Sequence, residues 1–323
     1  MSAQPASVRT VERSRFARVL VTGGAGFIGS HLVPKLLRAG NEVVILDNLS
    51  TGTRDRVPAG ARLVEGDVRD AGACARAIEG CDAVVHLAAA VSVRKSVEEF
   101  LPDAEANVMG TLSVLRAARQ ARVKRIVYAS SMAVYADSER PVPIPETHPT
   151  RPDSPYGVSK LAGELYTLLV GRDCGIPAAA LRYFNAYGPG QTFTPYVGVV
   201  TIFVNKLLRG ETPVIFGDGE QRRDFVHVDD LARATQLTLE SDVSGEVMNA
   251  GTGHATSVNE IAAELIARLA PGMIAQKAGA VPGELRNSIA DIGKARKLLS
   301  YEPAHPRPRF DDVIGYWRAA KRM

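Results

Sequence analysis

The sequence predicts an α/β fold, a doubly wound parallel sheet followed by a smaller C-terminal lobe. Three observations lead there. Short apolar runs rich in Val and Ile alternate with helical patterns through residue 184. A glycine-rich turn links the first run to the first helix. From residue 185 the alternation stops, and "NAYGPGQTFTPYVG" brings Gly, Pro and aromatic residues in loop-like order.

The elements follow in order. "RVLVT" (18–22) reads as a buried strand and 27–39 as a helix. "EVVILD" (42–47) and "RLVEGD" (62–67) are the next strands, with a helix over 70–79. "DAVVHLA" (82–88), "KRIVYAS" (124–130) and "AAALRYF" (178–184) are three more, separated by helices at 103–121 and 157–171. Strands joined through helices make right-handed βαβ units, hence a parallel sheet covered on both faces. The second part holds a helix near 197–209, "TPVIFGDGEQRRDFVHVDD", a short strand "GEVMNAG" and two further helical patterns. The expected division is a disordered basic leader (1–17), a sheet domain (18–184) and a smaller lobe (185–323), some of whose segments return to the sheet.

Composition narrows the partners. With 46% hydrophobic and 23% charged residues among 323, the chain is ordinary globular protein. No run of 18 apolar residues occurs, so no membrane span is expected. A net charge of +4 invites a nucleic-acid partner. However, residues 1–18 hold most of that excess, with Arg9, Arg13, Arg15 and Arg18 against Glu12. Nucleic acid is therefore not expected, and the leader reads as a solvated tail. Cys74, Cys81 and Cys174 fall at no metal-like spacing, which predicts no metal and fits a reducing cytoplasm.

"VLVTGGAGFIGSHLVPKLL" is the most informative stretch. Gly23, Gly24, Gly26 and Gly29 leave a strand and open a helix. The first glycines allow a tight turn, Gly26 a close approach to a pyrophosphate, and Gly29 helix–strand packing. The helix N-terminus then offers N–H groups and a positive dipole end to the anion. Asp47 ends the next strand 18 residues after Gly29. A carboxylate there accepts from an adenosine ribose and repels a 2′-phosphate, which predicts NAD rather than NADP in a Rossmann-type sheet. Asp67 and Val68 point to the adenine side, while Leu87, Ala88 and Ala89 let the backbone approach the cofactor.

"SPYGVSK" (154–160) places Tyr156 and Lys160 four residues apart, on one helix face. Alone the pair decides nothing. It stands, however, among "TGGAGFIG", "DNLSTG", "GDVRD", "HLAA", "NVMGT", "YASSMAVY", "RYFNAYGPGQ", "GDGEQRRDFVHVDD", "NAGTG" and "PGELRNSIAD". These segments, in this order, resemble the extended short-chain dehydrogenase/reductase family, in its nucleotide-sugar epimerase and dehydratase branch. The resemblance implies Tyr156 as acid/base, Lys160 as partner of both tyrosine and cofactor, and Ser131 as the group that bonds the reacting sugar hydroxyl, with Ser130 beside it. A tyrosine with pKa near 10 is a poor base at neutral pH. A lysine cation and the nicotinamide cation would favour the phenolate. The resemblance also implies that Phe27, Ile28, Asn48 and Asn107 line the NAD site, and that Asn185, Arg223 and Arg286 hold the sugar diphosphate. Arginine suits that task because its planar fork bonds phosphate oxygens in pairs. The bland reading of both arginines is a surface salt bridge. Asp229 reads as a helix N-cap.

The branch shares one first step, oxidation of the sugar at C4, and divides afterwards. Dehydratases resemble this chain but carry an Asp-Glu pair after the position of Ser131, where Met132 and Ala133 stand here. Decarboxylases usually show Glu at the position of Met132. What remains is 4-epimerisation of a nucleoside diphosphate hexose. "GPGQT" lacks an arginine associated with uronates, which favours a neutral sugar such as UDP-glucose or UDP-galactose, ahead of a UDP-N-acetylhexosamine or UDP-glucuronate. A 4-ketosugar reductase or sugar dehydrogenase with exchangeable cofactor, and a dinucleotide sensor without activity, are the competing readings. Family members commonly dimerise through two helices per subunit, here 103–121 and 157–171, which makes a homodimer the expected assembly.

Overall fold

A computed structural model describes residues 13–138, 141–194, 198–280 and 286–320. Six strands come from the N-terminal part: β1 (Arg18–Thr22), β2 (Glu42–Asp47), β3 (Ala61–Glu65), β4 (Ala83–His86), β5 (Arg125–Ser131) and β6 (Ala178–Tyr183). Four short strands follow: β7 (Asn185–Tyr187), β8 (Val214–Phe216), β9 (Arg222–Arg223) and β10 (Phe225–His227). Next, β11 (Glu246–Ala250) returns to the main sheet beside β6, and β12 (Thr256–Ser257), β13 (Gln276–Ala278) and β14 (Asn287–Ser288) complete the lobe. The seven-stranded sheet runs β11-β6-β5-β4-β1-β2-β3, with every neighbour parallel. Chain order reverses between β1 and β4, so a crevice opens there at the strands' carboxyl ends.

Apolar faces explain the layers. α1 (Gly29–Arg38) lays Leu32, Val33 and Leu36 on Val19, Val21 and Ile45, and α8 (Val228–Glu240) adds Ala232 and Leu239 on the same side. α2 (Ala71–Ile78) and α5 (Gly110–Ala121) cover the opposite face with Cys74, Ile78, Val114 and Leu115 against Leu20, Val84 and Ile126. Buried Cys74 and Cys81 act as apolar filler, and burial pushes both thiols up to about 11. α3 (Val93–Glu98), α4 (Phe100–Ala104) and α6 (Pro155–Cys174) pack together beside α5. The lobe has its own core, in which α7 (Val199–Leu208), α9 (Val258–Leu269) and α11 (Asp311–Ala320) bury Phe203, Leu207, Leu265, Phe310 and Val313. Small sheets β10-β7, β12-β9-β14 and β13-β8 tie it down, while α10 (Gly293–Leu299) returns to β11.

Four expectations change. The helix expected over 103–121 is three pieces: α4, a π-helical turn at Glu105–Met109, and α5. A single extra residue in the turn leaves no trace in the apolar period. Residues 13–17, expected within the leader, are partly anchored. The Ser14 N–H donates to the Ala39 carbonyl (2.9 Å), the Arg15 N–H to Glu240 (2.8 Å), and Asn41 donates to the Phe16 carbonyl (2.6 Å). The rest of that leader, 1–12, lies outside the described residues. Part of the loop expected from 185 is strand β7, held parallel to β10. Three residues are too few to show a period of two. Finally, Asp229 is not the N-cap of α8. His227 caps it, accepting from the Asp229 N–H, and the Asp229 carboxylate turns to His31 (3.1 Å) and Lys35 (3.4 Å). Among the described residues no helix is long and apolar enough to cross a membrane, and no His/Cys/Asp/Glu cluster suits a metal.

Candidate active site

The β1–α1 turn builds one wall of the crevice. Gly23 sits at φ +70°, its N–H donating to the Leu46 carbonyl (2.8 Å). A Cβ there would meet the Ala88 backbone at 2.8 Å, so the turn lies directly on the segment after β4. At Gly29 a Cβ would strike the Gly23 and Gly24 carbonyls and lie 2.6 Å from the Gly24 Cα, so only glycine lets the helix begin this close. Gly26 differs. Its one near neighbour would be the Gly23 carbonyl oxygen at 3.1 Å. The space beside it belongs to whatever approaches the turn. No side chain caps α1, whose N-cap residue is Ile28 with Phe27 in the turn before it. Glycines spaced for contact and an uncapped helix start fit a dinucleotide pyrophosphate.

Around this turn the other predicted residues gather. The Asp47 carboxylate, buried at the end of β2, accepts from the Ala25 N–H (2.9 Å) and the Leu49 N–H (2.8 Å). Each oxygen keeps a further lone pair for a ribose hydroxyl. Asn48 donates to Asp67 (2.8 Å), and Arg69 grips Asp67 from two nitrogens at 2.9 Å. That guanidinium holds the Asp67 carboxyl far below the usual carboxylate range. Val68 is buried beside Gly110. Leu87, Ala88 and Ala89 leave β4 tethered by a polar chain: the Ala88 N–H donates to the Thr22 hydroxyl (3.2 Å), and Thr22 meets His86 Nδ1 (2.6 Å). His86 Nε2 in turn meets Thr111 (3.0 Å), which donates to the Asn107 carbonyl (2.6 Å). Asn107 itself clamps the next residue, Ala90, through both its N–H (2.8 Å) and its carbonyl (2.9 Å). Its amide therefore shapes the crevice wall rather than reaching into the space.

The opposite wall carries Ser131, Tyr156 and Lys160. Ser131 is the last residue of β5, at the sheet's carboxyl edge. Ser154 and Pro155 start α6, the Ser154 hydroxyl accepting from the Gly157 N–H (3.1 Å). Gly157 and Gly163 let this helix press onto the Ala133 carbonyl and the Tyr128 phenol, where a Cβ would clash with either. As a result the Tyr156 phenol comes close to the Ser131 side chain, whose influence favours its ionised form. Lys160 is buried, its ammonium 4.3 Å above the Tyr128 ring. Ser130 faces away, donating to Glu164 (2.6 Å), which forms a bidentate pair with Arg182. Burial pushes the Tyr156 phenol up to about 12 against the influence of Ser131, and burial brings Lys160 down to about 7 against Glu164 and Asp103. Met132 packs on the core and Ala133 donates its N–H to Ser131, so neither exchanges a proton.

In the lobe, Asn185 and Arg223 line one cavity of about 170 Å³ with Tyr187, Val199, Phe225 and Val258. The Asn185 amide donates to the Asp224 carbonyl (3.2 Å) and Ser288 (3.0 Å). Arg286 stands next to Arg222, whose N–H donates to its carbonyl. Its guanidinium is half-exposed and bidentate to Asp218 (3.0 and 2.6 Å), the salt-bridge arrangement weighed against a phosphate role.

A glycine turn on a parallel sheet, facing a Ser–Tyr–Lys group, has counterparts among known proteins. The model of the NAD-dependent epimerase/dehydratase family matches residues 19–251. The chain belongs to this family. A UDP-glucose 4-epimerase of Thermotoga maritima, solved with UDP-glucose, superposes with a TM-score of 0.89 at 37% identity, covering 94% of this chain and 99% of the other. The UDP-glucose 4-epimerase of Thermus thermophilus in complex with NAD gives 0.86 at 37%, with the same coverage. A UDP-N-acetylglucosamine 4-epimerase of Methanobrevibacter ruminantium, in complex with UDP-N-acetylmuramic acid, gives 0.89 at 32%, covering 96% and 99%. Within the family frame, sequence reasoning passed over Asp103, Ser159 and Glu164 around Lys160. The signal was present as spacing: Asp103 precedes Asn107 by four residues and Glu164 follows Lys160 by four.

Proposed function

We infer that this chain is an NAD-dependent nucleotide-sugar 4-epimerase. The observation that carries the reading is that Tyr156 and Lys160 of α6 stand beside Ser131 at the end of β5, where the next residues, Met132 and Ala133, hold no acid or base. NAD, bound along the glycine turn and beside Asp47, supplies a reversible hydride acceptor at the sugar carbon. Tyr156 Oη takes the proton of the sugar C4 hydroxyl and later returns it. Ser131 Oγ bonds the same oxygen and holds it against the phenol. Lys160, as a cation, favours the phenolate and reaches the cofactor ribose. Between the two proton transfers the 4-keto sugar turns and is reduced on its opposite face. With Met132 and Ala133 in place, no further proton leaves the sugar, so neither elimination nor decarboxylation follows.

The lobe supports the substrate class. Arg223, beside Asn185 in the cavity, and Arg286 on the neighbouring strand β14's edge supply cations for a diphosphate. UDP-glucose/UDP-galactose is the first choice, supported by the similarity to UDP-glucose 4-epimerases. The similarity to a UDP-N-acetylglucosamine epimerase keeps an N-acetylhexosamine as the second. A homodimer fits the apolar side chains left in solvent on two adjoining helical segments: Phe100, Leu101 and Met109 on one, Val158, Leu165 and Leu169 on the other. A second copy presenting the same face would cover both in a four-helix arrangement. A cytoplasmic setting fits three free cysteines.

The test is incubation with UDP-, dTDP- and GDP-sugars without added NAD, read by chromatography with mass detection. A new peak of unchanged mass, abolished by Tyr156→Phe, is expected. A product lighter by water or carbon dioxide overturns the role given to Met132, and conversion only with added NAD(P)H points to a reductase.

A further inference from the structure

Asp103 is a buried carboxylate to which the reaction as described assigns no part. It sits on α4, 4% exposed, where α4 packs on α6. Oδ2 accepts from the Ser159 hydroxyl (2.7 Å), one residue before Lys160, and Oδ1 from the Asn107 amide (2.9 Å). Burial pushes the carboxyl up, opposed by the Ser159 hydroxyl, the Lys160 charge and the Asn107 amide. The π-helical turn at 105–109 carries Asn107 and, through it, ties the carboxylate to the Ala90 segment on the crevice wall.

The charges around Lys160 give this carboxylate its meaning. Facing it are Tyr156 and Glu164 from α6, Tyr128 from β5, His86 from β4 and Asp103 from α4. His86 is neutral, since burial keeps its imidazole from charging. Glu164 is already neutralised by Arg182 of β6, an ion pair buried on both sides. Glu164 still acts on Lys160, but among the described residues Asp103 is the carboxylate whose own cation is Lys160. With Lys160 charged the buried group is balanced; with Lys160 neutral it holds one uncompensated negative charge, which a low-dielectric interior strongly disfavours.

We propose that Asp103 is a positioning residue: the buried counter-ion that keeps Lys160 cationic and sets the pH at which Tyr156 exchanges its proton. The proposal rests on the epimerase reading of Ser131, Tyr156 and Lys160. Removing a negative charge makes a phenolate easier to form and an ammonium harder to keep, so both titrations move the same way, to lower pH.

The decisive variant is Asp103→Asn, which keeps the shape and can still bond Ser159 and Asn107. Its partner is Ser159→Ala, which removes the hydrogen bond and keeps the charge. Two readouts are compared with wild type: the kcat/KM–pH profile, and the ultraviolet tyrosinate titration taken as the difference from Tyr156→Phe. We expect Asp103→Asn to move the Tyr156 titration and both limbs of the profile to lower pH by about one unit. Ser159→Ala should leave them in place. Asp103→Ser serves the same comparison if the amide variant does not fold, and Asp103→Glu should restore the wild-type limbs. Unmoved midpoints with lowered activity, or an equal shift in Ser159→Ala, would overturn the proposal, because a clamp without charge then accounts for the residue. The tyrosinate readout needs no turnover. If wild type converts no nucleotide sugar, the epimerase reading fails while the titration still judges Asp103.

Discussion

Replacing Gly26 and Gly29 separately by Ala should divide two tasks that the glycine turn performs together. At Gly29 the new methyl meets only backbone, the Gly23 and Gly24 carbonyls and the Gly24 Cα at 2.6 Å, and no flexible side chain can yield. Either α1 lifts off the sheet or the turn opens, a misfit that costs about 3 kcal/mol. With roughly 2 cal/mol/K of unfolding entropy per residue over 323 residues, the melting temperature falls by about 4–5 °C. At Gly26 the methyl meets a single oxygen at 3.1 Å and φ is not in the left-handed region, so stability should stay within about 0.5 kcal/mol of wild type. The methyl does occupy the approach of the pyrophosphate. Loss of one charge-assisted backbone bond, about 1.5–3 kcal/mol, weakens NAD by roughly 10- to 100-fold. Differential scanning calorimetry and titration calorimetry with NAD read the two effects. A Gly26→Ala protein with wild-type NAD affinity, or a Gly29→Ala protein with wild-type melting, would refute the reasoning.

Four further outcomes are expected. Arg223→Met should raise KM for the nucleotide sugar by about 10-fold or more with a smaller change in kcat, since a diphosphate contact is lost in ground and transition states alike. Asp218→Asn, which releases Arg286 from its carboxylate partner, should tighten UDP binding, and unchanged binding in titration calorimetry would leave Arg286 a surface ion pair. Burial brings His86 down to about 3, below its unfolded value near 6.5, so its contribution to stability is present above pH 6.5 and lost as pH falls towards 3. Urea midpoints of wild type should therefore decline in that window by up to about 1.4 kcal/mol per pH unit more steeply than those of His86→Gln, and parallel slopes would contradict the neutral imidazole. Leu165→Glu with Leu169→Glu should turn a dimer into a monomer by light scattering, at unchanged melting of the subunit.

Local chemistry was readable along the chain. Val- and Ile-rich runs between helical patterns mark strands buried on both faces, because such strands cannot show polar alternation. The spacing of Gly23, Gly26 and Gly29, with Asp47 at the end of the next strand, defines a phosphate turn and a ribose acceptor, since each demand acts within one βαβ unit. Helical periodicity likewise put Tyr156 and Lys160 on one face of α6.

Other features came from contacts between distant segments. A strand of three residues such as β7 carries no period, and it exists because β10, 40 residues later in register, offers it hydrogen bonds. The π-helical turn leaves the apolar pattern unbroken and is revealed only by where Asn107 points. Arg286 could be a phosphate ligand or a salt bridge on sequence alone; folding brought Asp218, 68 residues away, to its guanidinium. Charge state is the clearest case. The residue types at 103, 156, 160 and 164 fix which groups can ionise, but packing of α4, α6, β5 and β6 decides which of them are desolvated and which are paired. Free energies of ionisation depend on that enclosure, and enclosure is a property of the tertiary structure.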